Sequence, residues 1–241
     1  MLNEKLAAAR ADMQAGNFDQ AVATMNEAIA IDANRDVVWA TLGDANRGAA
    51  SKQTDPALKA KNLADAAMDY QKAVDLKNQQ MAEGKVKDPD ANKKLAGYYN
   101  NMGDAFAKNG KTDDAVNSYN KAVQLDPSDA GKYYFNEGAT MTNANVKNDA
   151  KMRTAASEAF DKAIAADPNR ADAYYWKGTN LIGMATLKGD KMEAPPGTAE
   201  AFQKYLELQP TGPHADEAKA MITSLGASVE TSFGKKKPGK K

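Results

Sequence analysis

One short phrase recurs along this chain and limits the folds that it can adopt. The tetrapeptides NEAI, QKAV, NKAV, DKAI and QKYL begin at residues 26, 71, 120, 161 and 203. The residue before each of them is a large side chain: Met25, Tyr70, Tyr119, Phe160 or Phe202. A second phrase precedes four of these copies. It consists of an aromatic residue four positions before a Gly, and it occupies residues 39–43, 99–103, 134–138 and 174–178. A unit repeated in this way predicts a stack of similar structural elements rather than one irregular domain.

The spacing inside one copy is that of paired helices. Tyr99, Met102, Gly103 and Phe106 recur at the interval that places side chains on one helix face. The segment NGKTDD follows as a turn, and a second helix with buried small and aromatic positions runs on to Pro127, which cannot continue it. The unit is therefore a helical hairpin whose apolar face needs a neighbour.

These residues resemble the tetratricopeptide repeat family. The copy at 96–129 matches the family pattern of aromatic, Gly, Ala and Pro positions almost completely, and 16–32 matches its second half. The resemblance extends over about residues 2–226. It implies an all-α, right-handed α-solenoid of about five helical hairpins and a protein-binding role.

The expected organisation follows from this register. The repeats are predicted at 2–35, 36–79, 96–129, 131–170 and 171–212, with a capping helix at 213–226 and a flexible basic tail at 227–241. Extra residues predict enlarged turns at 49–61, 144–153 and 184–197, and a longer connection at 78–95. Such insertions are read first as surface loops or longer helices, and second as parts of a binding face.

The composition offers little for catalysis. The chain has no cysteine and a single histidine, His214, and its formal net charge is zero. The carboxylate pairs Asp113–Asp114 and Asp88–Asp90 fit the preference of helix N-termini for acidic residues. We therefore expect a non-enzymatic protein with no catalytic residues, no cofactor and no metal.

The first helix of each hairpin lines the inner groove of such a stack, which predicts a groove for an extended peptide or partner protein. Asparagine amides can hold its backbone, and Phe135 or Tyr175 can hold an apolar side chain. The second hairpin offers Val37, Ala40, Asp44 and Arg47 to this groove. The predicted groove residues of the later hairpins are Asn100, Asn101, Asp104, Lys108, Lys132, Phe135, Asn136, Asp172, Tyr175 and Thr179.

Other interpretations stay open at this point. The terminal KKKPGKK could associate with nucleic acid or an anionic surface through counterion release, although the rest of the chain carries an excess of acidic residues. The chain could also be the accessory domain of a larger envelope protein, or self-associate. An enzyme, or a regulatory domain of one, is a further reading. Without a signal peptide the expected location is cytoplasmic, and periplasmic or envelope-associated if a longer precursor has been trimmed.

A Lys/Asn clamp for chaperone carboxylates fits poorly, because Ala40 and Asp44 stand where that clamp needs Lys and Asn.

Overall fold

The structure, a computed structural model, describes residues 1–84, 89–188 and 191–226. Nearly all of its regular structure is helical. The helices are α1 (Leu2–Gln14), α2 (Phe18–Ile31), α3 (Asp36–Lys52), α4 (Pro56–Ala82), α5 (Ala91–Lys108), α6 (Thr112–Leu125), α7 (Ala130–Ala144), α8 (Ala150–Ala166), α9 (Ala171–Ile182), α10 (Thr198–Leu208) and α11 (Ala215–Ser224). Two short antiparallel strands, β1 (Thr186–Lys188) and β2 (Lys191–Glu193), lie between α9 and α10.

Consecutive helices pack together in pairs, which we number hairpins 1 to 5 from α1–α2 to α9–α10. The chain divides into two compact units, Met1–Ser128 and Asp129–Lys241. The first unit holds hairpins 1 to 3, and the second holds hairpins 4 and 5 with α11. The fold of packed helical hairpins that the repeat predicted is confirmed.

Local sequence explains where the helices begin and end. Gly16 and Gly110 adopt φ values of 80° and 74°, a left-handed conformation that suits glycine and reverses the chain after α1 and α5. The side chains of Asp55 and Asp149 accept hydrogen bonds from backbone N–H groups in the first turns of α4 and α8. These caps satisfy donors that the helices themselves leave open.

The insertions take two different forms. At 49–61 the turn is short, because α3 continues to Lys52 and α4 begins at Pro56 and runs for 27 residues. The extra residues there lengthen helices, whereas those at 184–197 form a connection that contains the β1–β2 pair. The strands were not predicted, since three-residue strands carry too little alternation to be recognised.

The cores combine small residues on one helix with a large side chain on its partner. In the first unit, Leu6, Met25 and Leu42 are buried together with alanines of α1, α2 and α3. In the second unit, Phe202 and Tyr205 are buried against Ala218 and Ile222 of α11. Helix α11 lies where the capping helix was predicted, and it packs on α10.

No helix in the described part of the chain is long and apolar enough to cross a membrane. The predicted basic tail at 227–241 and Asp88 of the connection at 78–95 lie outside the described residues.

Candidate functional site

The predicted groove residues lie on the first helices of hairpins 3, 4 and 5, and they fall into the two compact units. Those of α5 share the first unit with the candidates on α3. Those of α7 and α9 belong to the second unit. Each set therefore forms a face of its own, which we call the first-helix face of that unit.

Asp44 is the centre of the first-helix face of the first unit. Its Oδ1 atom accepts a hydrogen bond of 2.6 Å from the Tyr70 hydroxyl and one of 3.3 Å from Nδ2 of Asn101. Arg47 Nη2 lies 3.4 Å from the same oxygen. The Asp44 side chain keeps 40% of its surface exposed, so that its carboxylate is held in place and still open to solvent.

Arg47 connects two hairpins. Its Nη1 donates to Oδ2 of Asp104 at 2.9 Å, and the other oxygen of Asp104 accepts from the Tyr119 hydroxyl at 2.9 Å. Burial lowers the pKa of Arg47, and the neighbouring Tyr70, Asp104 and Asp44 raise it by more. The guanidinium thus stays charged between two carboxylates, which gives this face a fixed arrangement of polar groups.

A simple rule in the sequence underlies this arrangement. In hairpins 2 and 3 the glycine of the first helix is followed by Asp, and the second helix supplies Tyr. In hairpins 4 and 5 the glycines are followed by Ala139 and Thr179, and the second helix supplies Phe. The Asp side chain is therefore present in the two hairpins where a buried hydroxyl needs an acceptor.

Sequence reasoning missed two members of the first-helix face of the first unit, Asp36 on α3 and Tyr98 on α5. The Tyr98 hydroxyl donates to Oδ2 of Asp36 at 2.8 Å, and Lys77 Nζ lies 3.6 Å from the same atom. Burial and the Asp36 carboxylate raise the pKa of Tyr98, and burial with the Asp44 carboxylate raises that of Tyr70, so both hydroxyls remain donors. One sequence signal could have found Tyr98. It stands directly before Tyr99, and the repeat pattern accounts for only one of these two aromatic residues.

Two candidates on α5 differ in their exposure. Asn100 is only 2% exposed, and its amide donates to Oδ1 of Asn101 at 3.2 Å. Its side chain thus supports Asn101 and presents no surface to a ligand, which corrects its place among the groove contacts. Lys108, at the end of the same helix, is exposed.

The first-helix face of the second unit contains a partly buried aromatic side chain. The Phe135 ring is 6.1 Å from that of Phe160, and the Arg170 guanidinium lies over it at 5.8 Å. Asn136 is half-buried, and Lys132 is exposed with its Nζ 4.0 Å from Asp129. Phe135 is therefore a partly exposed aromatic side chain beside the Arg170 cation.

Tyr175 does not have the exposure that the prediction needs. It is 5% exposed, its ring stacks on His214 at 4.0 Å, and its hydroxyl donates to Oε2 of Glu217 at 2.6 Å. Burial and this hydrogen bond raise the pKa of Tyr175 to about 12. The physical reason is the capping helix α11, which covers this end of hairpin 5. On the same helix α9, Asp172 is exposed and Thr179 donates to the Tyr175 carbonyl.

A second concave surface lies in the first unit, between α2 and α4 over α3. It is a groove of about 580 Å³, and Asn46 and Asp69 line it. Both residues are 8% exposed, and Nδ2 of Asn46 donates to Oδ2 of Asp69 at 2.8 Å. Burial raises the pKa of Asp69 to about 6, although the bond from Asn46 opposes this shift.

The raised pKa of Asp69 gives a prediction about stability. Because the pKa of the Asp69 carboxyl is higher in the folded chain than in the unfolded chain, the free energy of unfolding falls as pH rises from about 4 through 6. Asp69→Asn keeps an acceptor for Asn46 and removes the buried charge, so it should raise the free energy of unfolding by about 1–2 kcal/mol at pH 8. Urea denaturation at pH 8 and pH 5 should show a smaller gain at pH 5. The same change at an exposed site of α4, Asp75→Asn, is the control, and an equal gain in both variants would contradict the assignment.

Among residues 1–84, 89–188 and 191–226, no three His, Asp or Glu side chains are placed to hold a metal ion together.

Comparison with known proteins identifies the fold. The family model for the tetratricopeptide repeat matches residues 96–129. The crystal structure of YrrB, described as a TPR protein with an unusual peptide-binding site, is 18% identical, covers 90% of each chain and has a TM-score of 0.56. A crystal structure of MamA is 16% identical over 95% of this chain and 97% of that chain, with a TM-score of 0.57. The MamA RS-1 double mutant is 15% identical over 87% and 95%, with a TM-score of 0.62. No curated protein matches this sequence. At these identities the likeness concerns the fold.

Proposed function

We propose that this chain, which has a tetratricopeptide repeat at residues 96–129 and the fold of tetratricopeptide-repeat proteins, is a non-enzymatic protein–protein interaction scaffold. It binds an extended segment of a partner protein on the first-helix face of the first unit. The first-helix face of the second unit, which contains Phe135, is proposed as a contact surface of its own. YrrB, which shares the fold, is described as having a peptide-binding site, and this supports the proposal.

The observation that carries the proposal is the fixed arrangement around Asp44. Side chains of α3, α4 and α5 converge there through the bonds from Tyr70, Asn101 and Arg47. Polar groups that are already held in place lose little side-chain entropy when a ligand binds. A solvated helix face with mobile polar residues would lack this advantage.

The chemistry of the face favours a ligand that donates hydrogen bonds. Asp44 Oδ1 accepts all three of its described bonds, and no described residue donates to Oδ2. Backbone N–H groups of an extended peptide, or a Lys or Arg side chain, can bind the remaining lone pairs of the exposed carboxylate. Hydrogen bonds to a charged acceptor are stronger than those between neutral groups.

The experiment is affinity capture from native lysate, followed by a binding titration with the purified partner. Asp44→Asn removes the charge and keeps an acceptor for the Tyr70 hydroxyl, so the hairpin should stay folded. We expect it to weaken binding by about tenfold, as loss of a charged hydrogen bond would. Asp75→Asn, the same change on an exposed site of α4, is the matched control.

Phe135→Ala tests the second unit in the same titration. Weakened binding by Asp44→Asn would assign the partner to the first-helix face of the first unit, and weakened binding by Phe135→Ala would assign a contact to the face of the second unit. A partner that binds both variants and Asp75→Asn as tightly as the original chain would contradict the proposal.

A further inference from the structure

Hairpin 2 differs from hairpins 3, 4 and 5 at one pair of positions. We compare two equivalent positions in each of hairpins 2 to 5. The first lies three residues after the glycine of the first helix, and the second lies directly before the large aromatic residue of the second helix. In three hairpins this pair combines a large apolar residue with a small one. The pairs are Asn46/Asp69 in hairpin 2, Phe106/Ser118 in hairpin 3, Met141/Ala159 in hairpin 4 and Leu181/Ala201 in hairpin 5.

The polar pair is costly for the folded chain. Asp69 is 8% exposed and receives one hydrogen bond from a described residue, at Oδ2 from Asn46. Its Oδ1 atom has no donor within the part of the chain that the structure describes. A buried carboxylate with one neutral donor is incompletely compensated for its lost hydration. A cation brought by a ligand would supply that compensation.

The groove between α2 and α4 provides room for such a ligand. Its walls combine polar residues with apolar ones, which include Val22 and Ile29 on α2, Trp39 and Leu42 on α3, and Met68 on α4. Met68 is 67% exposed and lines the same groove as Trp39. Methionine is common on surfaces that accept apolar segments of different shapes.

The net charge of the groove is negative. Asp19, Asp65 and Asp69 line it together with a single described cation, Lys61. Lys61 Nζ lies 2.6 Å from Oδ2 of Asp65, so these two charges offset each other. Asp19 and Asp69 remain, which makes the groove complementary to a cationic side chain.

We propose that the groove between α2 and α4 is a second interaction surface, which binds a partner segment in which one Lys or Arg side chain is flanked by apolar residues. The ammonium or guanidinium group pairs with Asp69, and the apolar neighbours cover Trp39 and Met68. This surface is separate from the first-helix face around Asp44, and neither proposal depends on the other.

The next groove along the first unit serves as an internal comparison. It lies between α4 and α6 over α5, has a volume of about 430 Å³, and is lined by Tyr99, Met102 and Phe106. Ser118 takes the place of Asp69 there, and its hydroxyl donates to the Asp114 carbonyl. This groove has no buried carboxylate, so we expect it to show no preference for a cationic side chain.

Selection of short random peptides displayed on phage tests the proposal. Panning on the folded chain, with Asp69→Asn in excess as a soluble competitor, should enrich peptides in which Lys or Arg lies between apolar residues. A synthetic peptide of the enriched sequence should bind Asp69→Asn about tenfold more weakly than it binds the original chain. A version of this peptide with norleucine in place of its Lys should lose about as much affinity for the original chain. Ser118→Ala, the same position in hairpin 3, should bind it unchanged.

The design separates loss of binding from loss of structure, because Asp69→Asn is expected to be at least as stable as the original chain. Binding should also shift the NMR signals of the Met68 methyl and the Trp39 indole. Enriched peptides that bind Asp69→Asn as tightly as the original chain, or that contain no cationic residue, would overturn the proposal. Self-association of the chain that Asp69→Asn abolishes would make the occupant a second copy, and would overturn the assignment to a partner protein.

Discussion

Replacing Tyr70 by Ala is expected to lower the free energy of unfolding of the first unit by about 3–5 kcal/mol. The Tyr70 side chain is fully buried, and its ring packs against Gly43, so that truncation leaves a cavity between α3 and α4. The same change removes the donor that binds Asp44 at 2.6 Å. The first-helix face should therefore lose both its support and part of its fixed geometry.

The two tryptophans make this effect measurable in one unit at a time. Trp39 belongs to the first unit and Trp176 to the second. In a Trp176→Phe background, urea denaturation followed by fluorescence reports the first unit alone.

Tyr70→Phe separates packing from hydrogen bonding in the same measurement. It keeps the ring and should cost about 1 kcal/mol. A Tyr70→Ala variant as stable as Tyr70→Phe would show that the ring does not hold the two helices together.

Gly103→Ala is expected to lower the free energy of unfolding by about 1–3 kcal/mol, although alanine is the better helix former. A Cβ atom at Gly103 would lie 2.7 Å from Cε1 of Tyr119 and 2.9 Å from its Cδ1. Since Tyr119 is buried and its hydroxyl is bonded to Asp104, the ring cannot move aside without breaking that bond. The helices α5 and α6 must then separate.

Gly97→Ala on the same helix is the matched control. A Cβ atom there meets no heavy atom within 4 Å, so the higher helix propensity of alanine should raise the free energy of unfolding by about 0.5–1 kcal/mol. The two variants carry the same chemical change on one helix, and only packing distinguishes them. If both were stabilised in urea denaturation, the close contact between Gly103 and Tyr119 would be contradicted.

Hairpin 3 shows how much of the fold the sequence predicts. The spacing of Tyr99, Met102, Gly103 and Phe106 predicts its first helix, and Gly110 and Pro127 predict its turn and its end. The structure has α5 and α6 there. The turn at 49–61 was harder to predict, because its residues suit helices as well as loops, and α3 and α4 take most of them.

The candidate site was predicted less completely than the fold. Asn101 and Asp104 were placed on one helix face, and the structure brings them together with Asp44 and Arg47. Their mutual bonds could not be predicted, because Arg47 and Asp104 are 57 positions apart in the chain. The burial of Tyr175 was missed for a similar reason, since the residue that accepts the hydrogen bond from its hydroxyl belongs to the capping helix, 42 positions later.

The sequence by itself determined the helical hairpins, and in hairpin 3 it also determined the turn and the end of the second helix. Helix periodicity, caps and turn residues act over a few positions, so that their signals are local and readable. The tertiary structure alone decided which polar side chains meet, which candidates are covered, and that Asp69 is buried at a groove. Those outcomes depend on how one hairpin packs on the next, where neighbours come from distant parts of the chain and compete for the same space.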